Sequence, residues 1–156
     1  MKLIVNTAAA VLALVSLAPQ SVDAHGFISE PKAVYTGGSS YTSFSAEITA
    51  SVNKGFSGRQ FGCGYTDPNA APVDVSKLSS MKYQNNEYKE GFLNSHHGPC
   101  EGWIDNTKVF HYDDCVKSFP GYPATIPMSF ASCKGNCRLT FYWLALHSQK
   151  LQSTQQ

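Results

Sequence analysis

Turn-forming residues interrupt this 156-residue chain so often that little room is left for a long helix. The interruptions are rich in Gly, Pro, Asn and Ser: TGGSS at 36–40, NKGFSG at 53–58, TDPNAAP at 66–72 and SFPGYP at 118–123. Clusters of this kind mark turns and loops. The segments between them have the length of β-strands, so the punctuation favours a fold built mainly from short strands.

The segments between the turns have strand-like composition at residues 44–50, 103–104, 108–112, 125–130 and 138–146. The clearest is RLTFYWLAL at 138–146, whose apolar and aromatic content is typical of a buried strand. We expect Phe141, Tyr142 and Trp143 to lie in the core. One short helix is predicted at 75–81. Many short strands with Gly- and Pro-rich turns predict an all-β sandwich.

The first 24 residues have the pattern of an export signal. Lys2 supplies a positive charge, residues 8–18 are apolar but too few to span a bilayer, and Val22 and Ala24 lie at the −3 and −1 positions of a cleavage site. This predicts a signal peptide at 1–24, a secreted, extracellular protein and one domain at 25–156. No second apolar segment of transmembrane length occurs, so no membrane is expected as a partner. The polar tail at 148–156 is predicted to be disordered.

Five cysteines occur, at positions 63, 100, 115, 133 and 137. A secreted chain oxidises its cysteines in pairs, which leaves one over. The unit CKGNC, from Cys133 to Cys137, predicts a disulfide-pinched hairpin turn, while the alternative of a zinc knuckle needs two more soft ligands. The net charge is +1 with Lys and Arg scattered, so no nucleic-acid partner is expected.

The predicted cleavage makes His25 the first residue of the mature chain. Its free amine and its Nδ1 can then chelate one metal ion together. One further imidazole completes a planar set of three nitrogens, a geometry that suits copper. The candidates are His96 and His97, which precede a Gly-Pro turn, and His111 and His147 further along the chain.

Three motifs together resemble the lytic polysaccharide monooxygenases: HGFISEP at 25–31, HHGPC at 96–100 and FYWLALH at 141–147. These copper enzymes begin with histidine and cleave glycosidic bonds oxidatively on an immunoglobulin- or fibronectin-like β-sandwich. The chain is most similar to the small oomycete enzymes of auxiliary-activity family seventeen, which are associated with homogalacturonan in pectin. The resemblance spans residues 24–147.

The resemblance implies one copper per chain, bound by His25 and His96, with His97 as the alternative to His96. It implies a catalytic role for His147 beside the copper, donating a hydrogen bond or a proton, although a structural histidine at a strand end is equally consistent with the residues. An external electron donor and O₂ or H₂O₂ would be required. The protein is expected to be a monomer.

The sequence departs from the family pattern after His147. There the family has a glutamine, an axial tyrosine and a cysteine, whereas SQKLQSTQQ holds Gln149 and Gln152 but neither of the other two. The missing cysteine would account for the odd cysteine count. The departure leaves three alternatives open. They are an active copper monooxygenase of pectin, a copper- or carbohydrate-binding secreted effector with impaired turnover, and a disulfide-stapled sandwich without metal.

The remaining candidates concern the substrate and the surface. Tyr35, Tyr41, Phe61, Tyr65 and Tyr83 lie in loop-like segments and are candidates for a flat sugar-binding face. The cations available to a polygalacturonate are Lys32, Lys54 and Arg59. His111, flanked by Asp113 and Asp114, is predicted to be a salt-bridged surface histidine without a catalytic role.

Overall fold

The computed structural model describes residues 26–35, 46–48, 66–67, 69–147 and 150–155, with the backbone alone for 46–48, 146–147 and 150–155. The described elements, in chain order, are β1 Phe27–Glu30, β2 Ala46–Ile48, β3 Ser80–Gln84, β4 Cys100–Ile104, β5 Thr107–Tyr112, α1 Cys115–Ser118, β6 Ala124–Pro127, β7 Leu139–His147 and β8 Lys150–Gln155. None of the described helices is long and apolar enough to span a membrane.

The strands form two antiparallel sheets. The smaller sheet has the order β1-β3-β6, and the larger has the order β2-β8-β7-β4-β5. The prediction of an all-β sandwich is confirmed. The strands foreseen at 103–104, 108–112, 125–130 and 138–146 correspond to β4, β5, β6 and β7, and the one foreseen at 44–50 overlaps β2.

The core lies where the two sheets face each other. Met81 and Tyr83 of β3 contribute from the small sheet, and Phe141 and Trp143 of β7 from the large one, all at most 1% exposed. The Tyr83 ring lies 5.4 Å from that of Phe141, centroid to centroid, and 5.8 Å from that of Trp143. The predicted burial of Phe141, Tyr142 and Trp143 is confirmed, because Tyr142 is also buried.

Two tyrosines foreseen on a sugar-binding face are buried instead, so the prediction was wrong for them. Tyr83 occupies an inward position of β3, where side chains alternate between the two faces. Tyr35 is buried and its hydroxyl accepts a hydrogen bond from the Ile28 amide at 3.2 Å. Burial raises the pKa of Tyr35 above its ordinary value, more than that hydrogen bond lowers it. Tyr41, Phe61 and Tyr65 lie outside the described residues.

The helix predicted at 75–81 is wrong. The Asp74 carboxylate accepts from the Ser76 amide at 2.9 Å, and the chain turns there before β3 begins at Ser80. Such local side-chain bonds compete with helix formation. The short helix α1 lies at Cys115–Ser118 instead, where Asp114 caps the Lys117 amide at 3.1 Å.

The CKGNC unit forms the predicted disulfide between Cys133 and Cys137, but it is not a hairpin turn. It connects β6 to β7, and these strands belong to different sheets. A hairpin would have placed the two strands side by side in one ladder. The unit therefore closes a crossing between the two layers, which strand composition alone does not reveal.

The tail, for which the sequence predicts disorder, contains β8. Its backbone pairs with β7 on one side and with β2 on the other, for example Leu144 with Ser153 and Ala46 with Ser153. Backbone amides and carbonyls of two neighbouring strands provide the partners, so the polar composition of the tail did not prevent strand formation.

Candidate functional site

The segment HHGPC at 96–100 is held in place by its neighbours. The Cys115 amide donates to the Gly98 carbonyl at 3.0 Å, and the Leu144 amide donates to the Pro99 carbonyl at 2.9 Å. Cys100 is joined to Cys115 by a disulfide. Gly98 has a φ of 155°, in a region that glycine adopts far more readily than other residues. The segment is thus tied to α1 and to β7 at once.

His96 is fully buried, with 0% of its surface exposed. Its Nδ1 lies 2.7 Å from the Ser95 hydroxyl, and its amide donates to the Leu93 carbonyl at 2.9 Å. Its ring meets Trp143 edge-on, with the ring centroids 6.5 Å apart. A hydrogen bond at one ring nitrogen fixes the orientation of an imidazole, so the nitrogen that could bind a metal here is the other one, Nε2.

His97 points the other way, into solvent, and pairs with Asp114 at 2.7 Å. Partial burial by itself would raise the pKa of Asp114. Hydrogen bonds from His97 and from the Lys117 and Gly98 amides, together with the charge of His97, outweigh it, so the pKa of Asp114 lies below its ordinary value. The structure therefore gives adjacent histidines opposite environments: His96 in the interior and His97 on the surface beside α1.

His111 is a surface histidine with ion-pair partners, as predicted. Its Nε2 lies 3.2 Å from Asp113, and its Nδ1 lies 3.7 Å from the buried carboxylate of Glu101. Asp114 pairs with His97 rather than with His111. The Lys108 ammonium also donates to the Glu101 carboxylate at 3.3 Å. His111 is thus part of a group of charged side chains on the large sheet.

The residue after His25 adjoins the same aromatic cluster as His96, through a different ring. Four rings form this aromatic cluster: Tyr83, Phe92, Phe141 and Trp143. Gly26 precedes β1, and a methyl group at its Cα would overlap the Tyr83 hydroxyl and lie 2.5 Å from Cζ. Because Trp143 contacts both the Tyr83 ring and the His96 ring, Gly26 and His96 adjoin one cluster.

The Tyr83 hydroxyl is buried and has no hydrogen-bond partner within the described part of the chain. Burial, and next the charge of Tyr35, raise the pKa of Tyr83 far above its ordinary value, so the phenol stays protonated. Gly26 was not predicted as a site residue, and Tyr83 was predicted only for a sugar-binding face. The alternation of MKYQ places Tyr83 inward, but only the register of β1 against β3, with Phe27 opposite Gln84, brings it beneath Gly26.

Several predicted site residues are not placed. His25, Lys54 and Arg59 lie outside the described residues, as does the cysteine at position 63, and His147 is the last residue of β7 with its backbone alone described. Lys32 is exposed in the turn after β1. Within the described ranges no three His, Cys, Asp or Glu side chains cluster as a metal site would require. The predicted set depends on His25, so that finding does not test it.

Comparisons with known proteins add no relative, because no protein-family model and no curated protein matches the chain. A function for this chain is therefore supported only by its sequence motifs, its fold and the environment of His96. The lytic polysaccharide monooxygenase family stays a prediction from the sequence motifs.

Proposed function

We propose that this chain is a secreted, copper-dependent polysaccharide monooxygenase that cleaves plant cell-wall polysaccharide, with homogalacturonan of pectin as substrate. The observation that carries the proposal is the oriented, buried ring of His96 beside the aromatic cluster that Gly26, the residue after His25, also contacts. The ring of His96 is buried and held in one orientation, as a metal ligand requires, whereas His97 is an exposed side chain paired with Asp114.

Copper would be held by the amine and Nδ1 of His25 and by Nε2 of His96. Two features of the chain fit such a group: the Ser95 hydrogen bond that orients His96, and the glycine at position 26 that lets the backbone approach Tyr83 closely. When bound, copper would supply the redox chemistry that attacks a strong C–H bond of the sugar, with O₂ or H₂O₂ as the oxidant and an external donor as the source of electrons.

The side chains of the protein would position the ligand His96, the proton donor and the substrate. Ser95 holds the ring of His96, while Trp143 and its neighbours exclude water from one side of it. His147 follows Trp143 by four residues on β7 and would donate a hydrogen bond or a proton beside the copper. Lys32, Lys54 and Arg59 would attract the carboxylates of a polyuronate.

Secretion is part of the proposal. Two disulfides, Cys100–Cys115 and Cys133–Cys137, are typical of proteins that fold in an oxidising compartment. They agree with the export pattern of residues 1–24. Cleavage after Ala24 is required by the proposed ligand set, because only cleavage creates the amine of His25.

The first test joins intact mass, copper binding and product analysis of the secreted protein. We expect a mature chain that begins at His25, binds one copper and releases oxidised oligogalacturonides from polygalacturonate with a reductant. The control carries four added alanines before His25, which remove the amine of His25 and place the new terminal amine too far from its imidazole to chelate with it, and should abolish tight binding. Equal copper affinity in both proteins would contradict the proposed ligand set. Copper binding without products would favour a binding module or effector instead.

The second test compares the paired histidines. His96→Ala removes one of three ligand groups and should lower copper affinity more than tenfold, whereas His97→Ala should leave it within about twofold of wild type. Melting curves of both variants without copper separate loss of a ligand from loss of fold. A larger effect at His97 would transfer the ligand role to that residue.

A further inference from the structure

Gly26 is in closer contact with the core than any side chain at that position would allow. A methyl group there would overlap the Tyr83 hydroxyl and lie 2.5 Å from Cζ and 2.8 Å from Cε1. We propose that the Tyr83 ring is a positioning residue, which fixes the height of the mature N-terminus above the core and so sets the distance between His25 and His96. This inference rests on the proposed function.

The Tyr83 ring has no room to move away. It is 1% exposed, stacks on Phe92 with ring centroids 5.0 Å apart, and meets Trp143 edge-on at 5.8 Å. In a close-packed interior, displacing such a ring requires its neighbours to shift as well. An added methyl group at Gly26 would therefore be relieved at the backbone rather than at the ring.

The backbone at Gly26 is the part that can yield. It leads into β1, a four-residue strand at the end of the order β1-β3-β6, where β3 is its partner among the described strands and the register is irregular between Ile28 and Glu30. Edge strands with few ladder bonds open more easily than central ones. A side chain at position 26 would thus lift the N-terminus from Tyr83.

The other ligand would not follow that movement. The segment holding His96 is tied to α1 by the Cys100–Cys115 disulfide and to β7 by the Leu144 amide. A displacement of about 1 Å in one part of a ligand set is enough to degrade a site whose geometry must be held within about 0.5 Å. Residue 26 must therefore be glycine, because any side chain there would meet Tyr83 and move one part of the ligand set away from the other.

The test is Gly26→Ala, with Gly102→Ala as the matched control. Gly102 lies in β4, and a methyl group there would overlap the Phe110 ring, 2.6 Å from Cζ, so both variants press a methyl group against a buried aromatic ring. We expect Gly26→Ala to lower copper affinity more than tenfold and to change the Cu(II) EPR spectrum. Gly102→Ala should lower the melting temperature but keep copper affinity within about twofold and leave the spectrum unchanged.

A rescue separates steric positioning from simple damage. Tyr83→Leu removes the ring, so adding Gly26→Ala to that background should change copper affinity less than twofold, a non-additivity expected of two groups in contact. Tyr83→Phe keeps the ring and should retain wild-type affinity. A tenfold loss in Tyr83→Phe would overturn the inference, because the hydroxyl would then be the functional group. Full additivity of the two changes would overturn it too.

Hydrogen exchange without copper distinguishes failure of the inference from failure of the proposed function. Gly26→Ala should speed exchange at the amides of β1, while Gly102→Ala should not. If the wild type binds copper but Gly26→Ala leaves affinity and β1 exchange unchanged, the positioning role is wrong and the function stands. If the wild type binds no copper, the function and the positioning role fail together, and faster β1 exchange would then report only a structural contact.

Discussion

The two ends of the sandwich are filled in different ways. At one end the aromatic cluster packs Tyr83, Phe92 and Trp143 against each other, and His96 joins it. At the other end a cavity of about 1570 Å³ opens between the sheets, lined by residues that include Ile104, Leu139 and the unit from Cys133 to Cys137.

The difference concerns how firmly each end can hold a functional group. Interlocked rings have few alternative arrangements, so a side chain docked on them is held in one position. The cavity end has exposed apolar residues, Val34 at 45% and Val73 at 48%. A ligand set that needs fixed geometry is therefore better placed at the aromatic end, where both Gly26 and His96 lie.

The largest effect should come from Trp143→Ala. The side chain is 1% exposed and contacts Tyr83, Phe92 and His96, so its removal leaves a cavity beneath the proposed site. We expect a loss of about 3 to 5 kcal/mol in the free energy of unfolding, measured by urea denaturation. Val73→Ala, at the cavity end, should change it by no more than about 0.5 kcal/mol. Similar losses in both would remove the contrast between the ends.

The two disulfides give the next comparison. Cys100–Cys115 closes a separation of 15 residues and both cysteines are fully buried, whereas Cys133–Cys137 closes a separation of 4 at the rim of the cavity. Replacing the first pair by alanine should cost about 3 kcal/mol, and the second about 2 kcal/mol, since longer loops restrict the unfolded chain more.

Thermal melting of the two double variants checks this order. We expect the Cys100/Cys115 variant also to lose copper affinity, because that disulfide ties the segment of His96 to α1. The Cys133/Cys137 variant is the control and should bind copper as the wild type does. The reverse order of stabilities would mean that the cavity end is the more constrained one.

The smallest effect should appear in acid. The pKa of Asp114 in the folded protein lies below the usual 3.8, so its carboxylate stabilises the fold above that value and the contribution is lost as the pH falls through the lowered pKa. Asp114→Asn keeps a capping side chain but removes the charge. It should cost about 1 kcal/mol or less at pH 6 and flatten the fall in stability below about pH 4.

Asp74→Asn is the comparison at the cavity end. Hydrogen bonds from Ser76 hold the pKa of Asp74 below its ordinary value, but the side chain is exposed, so the same measurement should show a smaller change. Melting temperatures measured between pH 2 and pH 6 compare the acid dependence of the two variants with that of the wild type. A steeper acid dependence in Asp114→Asn than in the wild type would contradict the assignment of the pairing to His97.

Prediction from the sequence was most accurate where composition reflects burial. The run from Leu139 to His147 is apolar and β-favouring along its length, and it forms the long strand whose inward side chains build the core. The pairing of Cys133 with Cys137 was also foreseen, because the two are close in the chain. The contrast between His96 and His97 was not foreseen as a contrast of burial, since neighbouring residues with one side chain type carry no signal of which faces inward.

Long-range pairing was beyond the reach of composition. The strand β8 has a polar sequence and forms through backbone hydrogen bonds to β2 and β7. The spacing of Cys133 and Cys137 predicts a hairpin because no local signal indicates which sheet a strand joins. The sequence predicts a surface position for Tyr83 because aromatic residues between turns suit a sugar-binding face as well as a core.

The sequence by itself determined the layered β architecture, the turns that divide it and the residue types able to bind a metal, because these follow from local periodicity and side-chain chemistry. The tertiary structure decided that His96 rather than His97 is buried and that Gly26 lies against Tyr83. It also decided that Gly26 and His96 adjoin one aromatic cluster. Those contacts join residues that are far apart in the chain. They arise from the register between strands and from packing between sheets, and no single segment encodes either.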